Sequence, residues 1–388
     1  MDLHLDAQQS EFREEVRDWL EKHTPRKEFA LASTSEGVEQ RRAWEKTLFE
    51  GGFAAVHWPV AYGGRGMNAL GTSIFYEEYL RAGAPDRLNR LGLGLCGPTL
   101  IDIGNEEQKQ KWLTNILNCD EIWCQGFSEP GAGSDLASLR TRGEVTSDAI
   151  VVNGQKVWTS HSKFADWMFA LVRTDPSAPK HRGLTFLMIN MRDPGIELRP
   201  IRQMNHAAEF AEVFINDVVV PRANVIGEIN DGWQVAMTTL THERGSGLNT
   251  ASHFHQTLRE IVGLIPQDLR NDSRVRAEVG RLYEEIEAYR FMTLRTLSEL
   301  SLGRKPGPQA SMGKLWWSEM QVRMYELGLS MLGDQALLVD GQVGEPPHLR
   351  QRYWLSRAAE IYAGSNEVQR NIISERVLGL PRGASHAV

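Results

Sequence analysis

Residues 125–135 read Gln-Gly-Phe-Ser-Glu-Pro-Gly-Ala-Gly-Ser-Asp, and they mark the point where the pattern of the chain changes. Small residues let a backbone come close to a ligand, and free N–H groups with Ser hydroxyls can bond to phosphates or ring heteroatoms. Read alone, the segment is equally typical of an ordinary glycine-rich turn. It is neither GxGxxG nor a P-loop, so it gives no support to a Rossmann NAD site.

Upstream of this stretch, residues 6 to about 120 are typical of helices. Asp6 and Gln9 have the three-residue spacing of a capping box, which predicts that a first helix begins here. The apolar residues that follow recur on one helical face: Phe12, Val16, Trp19 and Leu20. A loop rich in Gly and Pro at residues 58–66 interrupts the pattern before helical character returns.

Downstream, residues 121 to about 228 are typical of strands. Asn153-Gly154 stands between two β-prone runs, 149–152 and 155–158, and predicts a hairpin with a two-residue turn. Turn residues separate further strand-like runs at 167–172, 184–189 and 211–220. Short strands without helices between them favour an antiparallel barrel or sandwich.

From about residue 231 the helical period returns. Two apolar series predict long helices that pack as a bundle, and their Met and Trp residues are expected in its core. The first series is Val275, Val279, Leu282, Ile286 and Tyr289, and the second is Trp316, Met320, Met324, Leu327 and Met331. The predicted fold is therefore α+β. It comprises a helical domain (1–120), an antiparallel β-barrel domain (121–230) and a C-terminal four-helix bundle (231–388).

Composition excludes several classes of protein. A formal charge of −7 argues against a nucleic-acid binder, and no apolar run is long enough to span a bilayer. The N-terminal residues lack the features of a signal peptide, and the three cysteines form no paired framework, so a cytoplasmic location is expected. Neither Cys nor His shows the spacing of a metal site.

Three other segments contain residues suited to binding or catalysis. Residues 156–162 place Trp158 beside hydroxyl groups, although a strand Trp that fills a core is the simpler interpretation in isolation. Residues 240–245 include a Glu-Arg pair, which on a helix is usually solvated. Residues 361–370 resemble a loop that runs into a capped helix.

Together, these four segments in a helix–β–helix frame resemble the acyl-CoA dehydrogenase family over nearly the whole chain. The most specific part is Ser128 to Asp135, followed by Trp158 and the region of Gly364 and Ser365. The resemblance implies a flavoprotein that uses FAD to convert an acyl-CoA thioester to the trans-2-enoyl-CoA in lipid metabolism, with an electron-transferring flavoprotein as the acceptor.

The resemblance also implies roles for particular residues. Phe127 and Ser128 would lie against the isoalloxazine, Trp158 would cover it, and Gly364 would donate its N–H to the thioester oxygen. The implied FAD-binding residues are Gln125, Phe127, Ser128, Gly133, Ser134, Trp158, Thr159, Ser160, Gly364, Ser365 and Glu367. The implied substrate-binding residues are Ser134, Thr241, Arg244 and Gly364.

The catalytic base departs from the common pattern of the family. Members commonly carry a Glu in a Tyr-Glu-Gly segment, which here reads Tyr362-Ala363-Gly364, and an alanine cannot abstract a proton. Members that resemble isovaleryl-CoA dehydrogenase carry the base on the pocket helix, at the position of Glu243. We therefore expect Glu243 to take the α-proton, with a pKa raised by burial beside the acyl group.

The segments through which family members form tetramers also differ in this chain. The family's Arg-x-x-Phe-Gly segment is not found between residues 250 and 310, and Gln-Ile-Phe-Gly-Gly is replaced by residues 330–334, Ser-Met-Leu-Gly-Asp. A tetramer is expected, either of identical chains or a heterotetramer in which a related chain completes the FAD site. Two alternatives stay open: a non-catalytic subunit, which Ala363 favours, and a flavin oxidase or monooxygenase on the same fold.

Overall fold

A computed structural model describes residues 5–205, 207–246, 251–304, 307–337 and 349–381, with only the backbone for 243–246. The chain divides into two compact units. The larger unit is Asp6–Ser246, and the smaller unit combines Gly247–Val388 with Met1–Leu5.

Helices open the larger unit, as predicted. They are α1 (Ala7–His23), α2 (Ser35–Glu50), α3 (Ala69–Arg81), α4 (Gly97–Ile103) and α5 (Glu106–Leu117). The capping box at α1 is confirmed: Gln9 N donates to Asp6 Oδ1 at 2.8 Å and Asp6 N donates to Gln9 Oε1 at 3.1 Å. The same device begins α5, with Asn105 and Gln108.

An eight-stranded sheet follows. Its strands are β1 (Trp123–Gly126), β2 (Arg142–Val145), β3 (Ala149–Ser160), β4 (Trp167–Arg173), β5 (Leu184–Asn190), β6 (Ile196–Ile201), β7 (Phe210–Pro221) and β8 (Val225–Ile226). The order is β6-β7-β3-β2-β4-β5-β8, and β1 pairs with β4 off this path. The pairings are antiparallel, as expected, except that β1 and β2 run parallel to β4. The three runs predicted as strands became β4, β5 and β7.

The hairpin predicted at Asn153-Gly154 is wrong. Both flanking runs belong to the continuous strand β3, which pairs with β7 along its length and shifts register between Val152 and Gly154. Asn153 Nδ2 donates to Asp217 Oδ1 at 2.9 Å, and Asp217 N donates back to Asn153 Oδ1 at 2.9 Å. Because β3 pairs with the long strand β7 on both sides of this register shift, Asn153-Gly154 forms a β-bulge and not a hairpin turn.

One apolar cluster joins α4 and α5, the sheet and the helix that follows the sheet, α6 (Gly232–Ser246). Trp112 of α5 meets Trp123 of β1 edge-on, with ring centroids 5.9 Å apart. Phe169 and Phe186, on neighbouring strands, stack at 6.1 Å in the same cluster as Val235 of α6. These contacts fix α6 against the sheet, because a packed interior allows little displacement.

The smaller unit is helical. It contains α7 (Ala251–Leu264), α8 (Ser273–Ser301), α9 (Ala310–Leu332), α10 (Leu349–Ser356) and α11 (Asn366–Ile372). Helices α7, α8 and α9 share one core, and α10 packs against α9. The expected core residues include buried Leu282, Ile286, Met320 and Met324, whereas Trp316 is 38% exposed and does not belong to the core. Among the described residues, no helix is long and apolar enough to cross a membrane.

A buried ion pair links two segments of the helical region. Arg87 Nη2 lies 2.7 Å from Glu45 Oε2, and the side chains of both residues are almost wholly inaccessible. Glu45 Oε1 also accepts the Leu88 N–H at 2.8 Å. Removing one partner of a buried pair leaves an uncompensated charge.

We predict that Glu45→Ala lowers the free energy of unfolding by about 3–5 kcal/mol, because Arg87 would stay buried without its partner. Urea unfolding followed by tryptophan fluorescence measures the change. The control is Glu144→Ala, which removes the exposed Arg142–Glu144 pair and should cost no more than about 1 kcal/mol. Equal effects of the two substitutions would contradict the prediction.

Candidate active site

The glycine-rich loop that follows β1 is open at its tip. Glu129 and Ala132 exchange both backbone hydrogen bonds at 3.0 Å, which closes a tight turn. A Cβ added to Gly131 or Gly133 would meet no atom within 4 Å. Gly133 and Ser134 are exposed, so the N–H groups and the hydroxyl of this turn are accessible to a ligand.

The start of the loop is anchored in the core. Phe127 is buried, and its ring meets Phe169 and Phe186 edge-on at centroid distances of 5.8 and 6.0 Å. The Phe127 side chain is therefore part of the packing, and its backbone is the group available to a ligand. Gln125 on β1 and Ser128 are half-buried.

A buried ion pair lies under the loop, and the sequence analysis missed it. Lys156 Nζ is 2.8 Å from Glu129 Oε1 and 3.2 Å from the Phe127 carbonyl oxygen. The Glu129 carboxylate also accepts the backbone N–H groups of Arg140 and Thr141, at 2.6 and 2.9 Å. Lys156 is in phase with buried Ile150 and Val152, but exposed Asn153 and Gly154 interrupt the alternation, so the pattern alone did not identify a buried lysine.

The pair is electrostatically coupled. Burial lowers the pKa of Lys156, and the Glu129 carboxylate opposes that effect. For Glu129, burial raises the pKa, but the Lys156 charge and the hydrogen bonds outweigh it, so the pKa lies below its usual value. The carboxylate is therefore ionised at neutral pH.

Trp158 stands in a bulge of β3. The register between β3 and β7 shifts between Lys156 and Thr159, and Trp158 has φ 59°, in the left-handed region that few non-glycine residues adopt. Val157 N turns away from β7 and donates to the Ser128 carbonyl oxygen at 2.9 Å. As a result the Trp158 side chain is 59% exposed and does not fill the core.

The next residue, Thr159, is fully buried. Its Oγ1 has no hydrogen-bond partner in the part of the chain that the structure describes. An unpaired buried hydroxyl costs free energy, and such groups in native proteins commonly face a ligand or water. Half-buried Ser160 pairs with Phe210 of β7.

The contacts of Lys156 and Val157 bring loop residues 127–129 next to strand residues 156–158.

Helix α6 is braced against the helical region by polar contacts. Thr239 Oγ1 lies 2.9 Å from Thr99 Oγ1, with both residues fully buried. One turn later, His242 Nε2 lies 3.0 Å from Asp102 Oδ2. Thr241 is exposed. Glu243 and Arg244 follow on α6, but their side chains lie outside the described residues, so their roles stay predictions.

The remaining predicted residues belong to the smaller unit. Ala363 and Gly364 have φ 55° and 83°, and Gln369 Nε2 donates to both of their carbonyl oxygens, at 3.1 and 3.3 Å. Ser365 caps α11 through the Val368 N–H. The roles of Gly364, Ser365 and Glu367 at the flavin stay predictions. Over the described residues, no cluster of His, Cys, Asp and Glu suits a metal ion.

Three family models match this chain in sequence. They are the acyl-CoA dehydrogenase N-terminal domain at residues 6–120, the middle domain at 124–218 and the C-terminal domain at 230–378.

The chain belongs to the acyl-CoA dehydrogenase family.

Curated and solved relatives agree with this assignment. Acyl-CoA dehydrogenase IpdE1 of Mycobacterium tuberculosis is 41% identical over 383 residues, which cover 96% of this chain and 98% of the relative. A solved structure described as "Tcur3481-Tcur3483 steroid ACAD" is 30% identical with a TM-score of 0.89, covering 99% of this chain and all of that chain. The ChsE4-ChsE5 complex from Mycobacterium tuberculosis is 31% identical with a TM-score of 0.83, with coverage of 99% and 100%.

Family membership confirms the predicted three-part fold, the oxidoreductase class and FAD as the cofactor. The residues present fit a flavin. Buried Thr159 offers an unpaired hydroxyl, Trp158 offers an exposed aromatic face, and the glycine-rich turn leaves open space around Gly131 and Gly133. A flat ring with polar edges needs these groups.

We predict opposite effects of Thr159→Val on stability and on cofactor binding. Valine has nearly the same shape but no hydroxyl, so the FAD-free protein should gain about 1 kcal/mol of stability when the unpaired group is removed. FAD affinity should fall about 3- to 10-fold, because a hydrogen bond to the flavin is lost. Thermal unfolding of the FAD-free protein and FAD titration by fluorescence quenching measure the two effects.

The control for this prediction is Thr146→Val, at an exposed turn between β2 and β3. It should leave FAD affinity unchanged. A Thr159→Val protein with lower stability and unaltered FAD affinity would show that the hydroxyl serves the fold and not the cofactor.

Proposed function

We propose that this chain is a catalytically active acyl-CoA dehydrogenase subunit that uses Glu243 to remove the α-proton of an acyl-CoA thioester. The observation that carries the proposal is the change of residue at position 363. Residue 363 has a left-handed backbone, and it is an alanine without a proton-accepting group. A carboxylate is present instead on α6, a helix of the same unit as the glycine-rich loop.

The contacts along α6 support a positioned base. A general base must be held within hydrogen-bond reach of the proton that it removes, and small displacements are costly. The Thr99–Thr239 hydrogen bond and the Asp102–His242 contact fix the two turns of α6 that lead to Glu243. The backbone that carries the Glu243 carboxylate is therefore held in place.

The reaction divides between the protein and its cofactor. Glu243 accepts the α-proton, and the Gly364 N–H is proposed to stabilise the negative charge that develops on the thioester oxygen. Bound FAD supplies the acceptor for the hydride that leaves the β-carbon. Exclusion of water by the acyl group would strengthen the hydrogen bond to the thioester oxygen.

We predict that Glu243→Gln keeps FAD but slows flavin reduction by acyl-CoA about 100- to 10,000-fold, because the amide cannot accept the proton. Anaerobic stopped-flow measurement of flavin bleaching in the FAD-loaded protein tests this. Glu144→Gln, at an exposed site on β2, is the control and should bleach normally. Undiminished bleaching of Glu243→Gln would remove this residue from the mechanism, and no bleaching of the parent would favour a non-catalytic subunit.

We further propose that the chain works in a heterotetramer with a related chain. Two segments through which family members contact a neighbouring subunit's flavin differ here, at residues 250–310 and 330–334. Support comes from two solved relatives whose descriptions name paired chains, Tcur3481-Tcur3483 and ChsE4-ChsE5. The partner would complete the FAD site, and this chain would supply Glu243.

The substrate proposed for the site is an acyl-CoA with a bulky polycyclic acyl group. The support is the description of the first of these relatives as a steroid ACAD. An electron-transferring flavoprotein is the proposed electron acceptor, and a cytoplasmic location stays a prediction.

We predict that the chain purified alone holds substoichiometric FAD, and that co-expression with a related partner chain raises the flavin content. The reason is that the partner would complete the FAD site. Native mass spectrometry together with absorbance gives the oligomeric state and the FAD content per chain. A homotetramer of this chain with full FAD occupancy would overturn the heteromeric assembly.

A further inference from the structure

The Lys156 ammonium group lies wholly inside the protein, at a junction of two segments. Lys156 is 0% exposed and Glu129 is 9% exposed. The ammonium group bonds to both Glu129 Oε1 and the Phe127 carbonyl oxygen. Taking such charges out of water is expensive, and an apolar pair of similar volume is often at least as stable. Stability alone therefore gives no reason for an ion pair at this point.

The Glu129 carboxylate holds both ends of the glycine-rich turn. One oxygen accepts from Lys156 Nζ and from Thr141 N, and the other accepts from Arg140 N. Between these anchors Gly131 and Gly133 have open space around them, whereas Ala132 and Leu139 are buried in the core. The carboxylate therefore fixes the ends of the turn, in addition to the packing of its buried residues.

The same pair also fixes the bulge of β3. Lys156 immediately precedes the point where Val157 N leaves β7 and donates to the Ser128 carbonyl oxygen at 2.9 Å. Trp158 and Thr159 follow directly, one exposed and one fully buried. The distance between the loop and the Trp158–Thr159 segment is thus set by contacts of Lys156, Val157 and Glu129.

We propose that the Lys156–Glu129 pair is a positioning device that holds the glycine-rich turn and the Trp158–Thr159 bulge in the spacing that the flavin requires. The inference rests on the proposed roles of residues 125–134 and 158–160 at the cofactor. Neither side chain is a catalytic residue, because both are buried beneath the backbone that would meet the ring. Their effect on FAD binding is exerted through the turn and the bulge.

The sharpest test is the double variant Lys156→Met/Glu129→Gln. It removes both charges at once, so no unpaired charge is left in the interior and folding should be retained. The Gln amide has one accepting oxygen where the carboxylate has two, and its NH₂ group faces the Arg140 or Thr141 N–H. At least one backbone anchor of the turn is therefore lost, together with the Lys156 contact, while the packing volume is kept.

We expect the double variant to melt close to the parent without FAD but to bind FAD at least about tenfold more weakly. FAD titration is made in the assembly that binds FAD, and thermal unfolding is followed on the FAD-free protein. The visible spectrum of bound flavin should also shift, because the environment of the ring changes. The matched control is Arg142→Met/Glu144→Gln, which neutralises an exposed pair on β2 and should leave both readouts unchanged.

The outcomes separate positioning from a structural role. Parental FAD affinity and spectrum in the double variant would overturn the inference. If the double variant fails to fold, Glu129→Asp gives the answer, since it keeps the charge but shortens the reach to Arg140 and Thr141. Weaker FAD binding by Glu129→Asp supports the inference, and unaltered binding overturns it. FAD affinity is independent of the Glu243→Gln bleaching assay, so either proposal can fail without the other.

Discussion

The candidate site depends on one long strand, β3, which cannot be regular along its whole length. It pairs with β2 on one side and β7 on the other, and it changes register with β7 twice. The first irregularity accommodates Asn153 and Gly154, and the second turns Trp158 out of the sheet. Since a bulge re-aims the side chains that follow it, the second irregularity places an exposed aromatic ring next to a buried hydroxyl.

Much of the fold was predictable from the sequence because local signals agreed with tertiary packing. The Asp6–Gln9 capping box and strands β4, β5 and β7 are local patterns, and each is present in the structure. The prediction at Asn153-Gly154 was wrong because pairing with β7 determines its conformation, and the local sequence does not show that pairing. The prediction that Trp316 lies in the core was also wrong, since its helical spacing fits the buried face but the residue is partly exposed.

The candidate site was predictable only in part. The glycine-rich turn and Trp158 could be found because their residue types are unusual in that order. The ion pair beneath them could not be assigned, since Lys156 and Glu129 are 27 positions apart and a lysine in a strand is usually exposed. Position 363 was informative because its alanine cannot accept a proton, and α6 carries a carboxylate at Glu243.

In the proposed reaction, acyl-CoA loses its α-proton to this chain and its β-hydride to bound FAD. A single anaerobic turnover with a polycyclic acyl-CoA, deuterated at the α- or β-carbon, tests it most directly. We expect one 2-enoyl-CoA to form for each flavin reduced, with deuterium lost from whichever carbon carries it and flavin reduction slowed by either label. Unchanged acyl-CoA beside oxidised flavin, or product that forms only when oxygen is admitted, would contradict it.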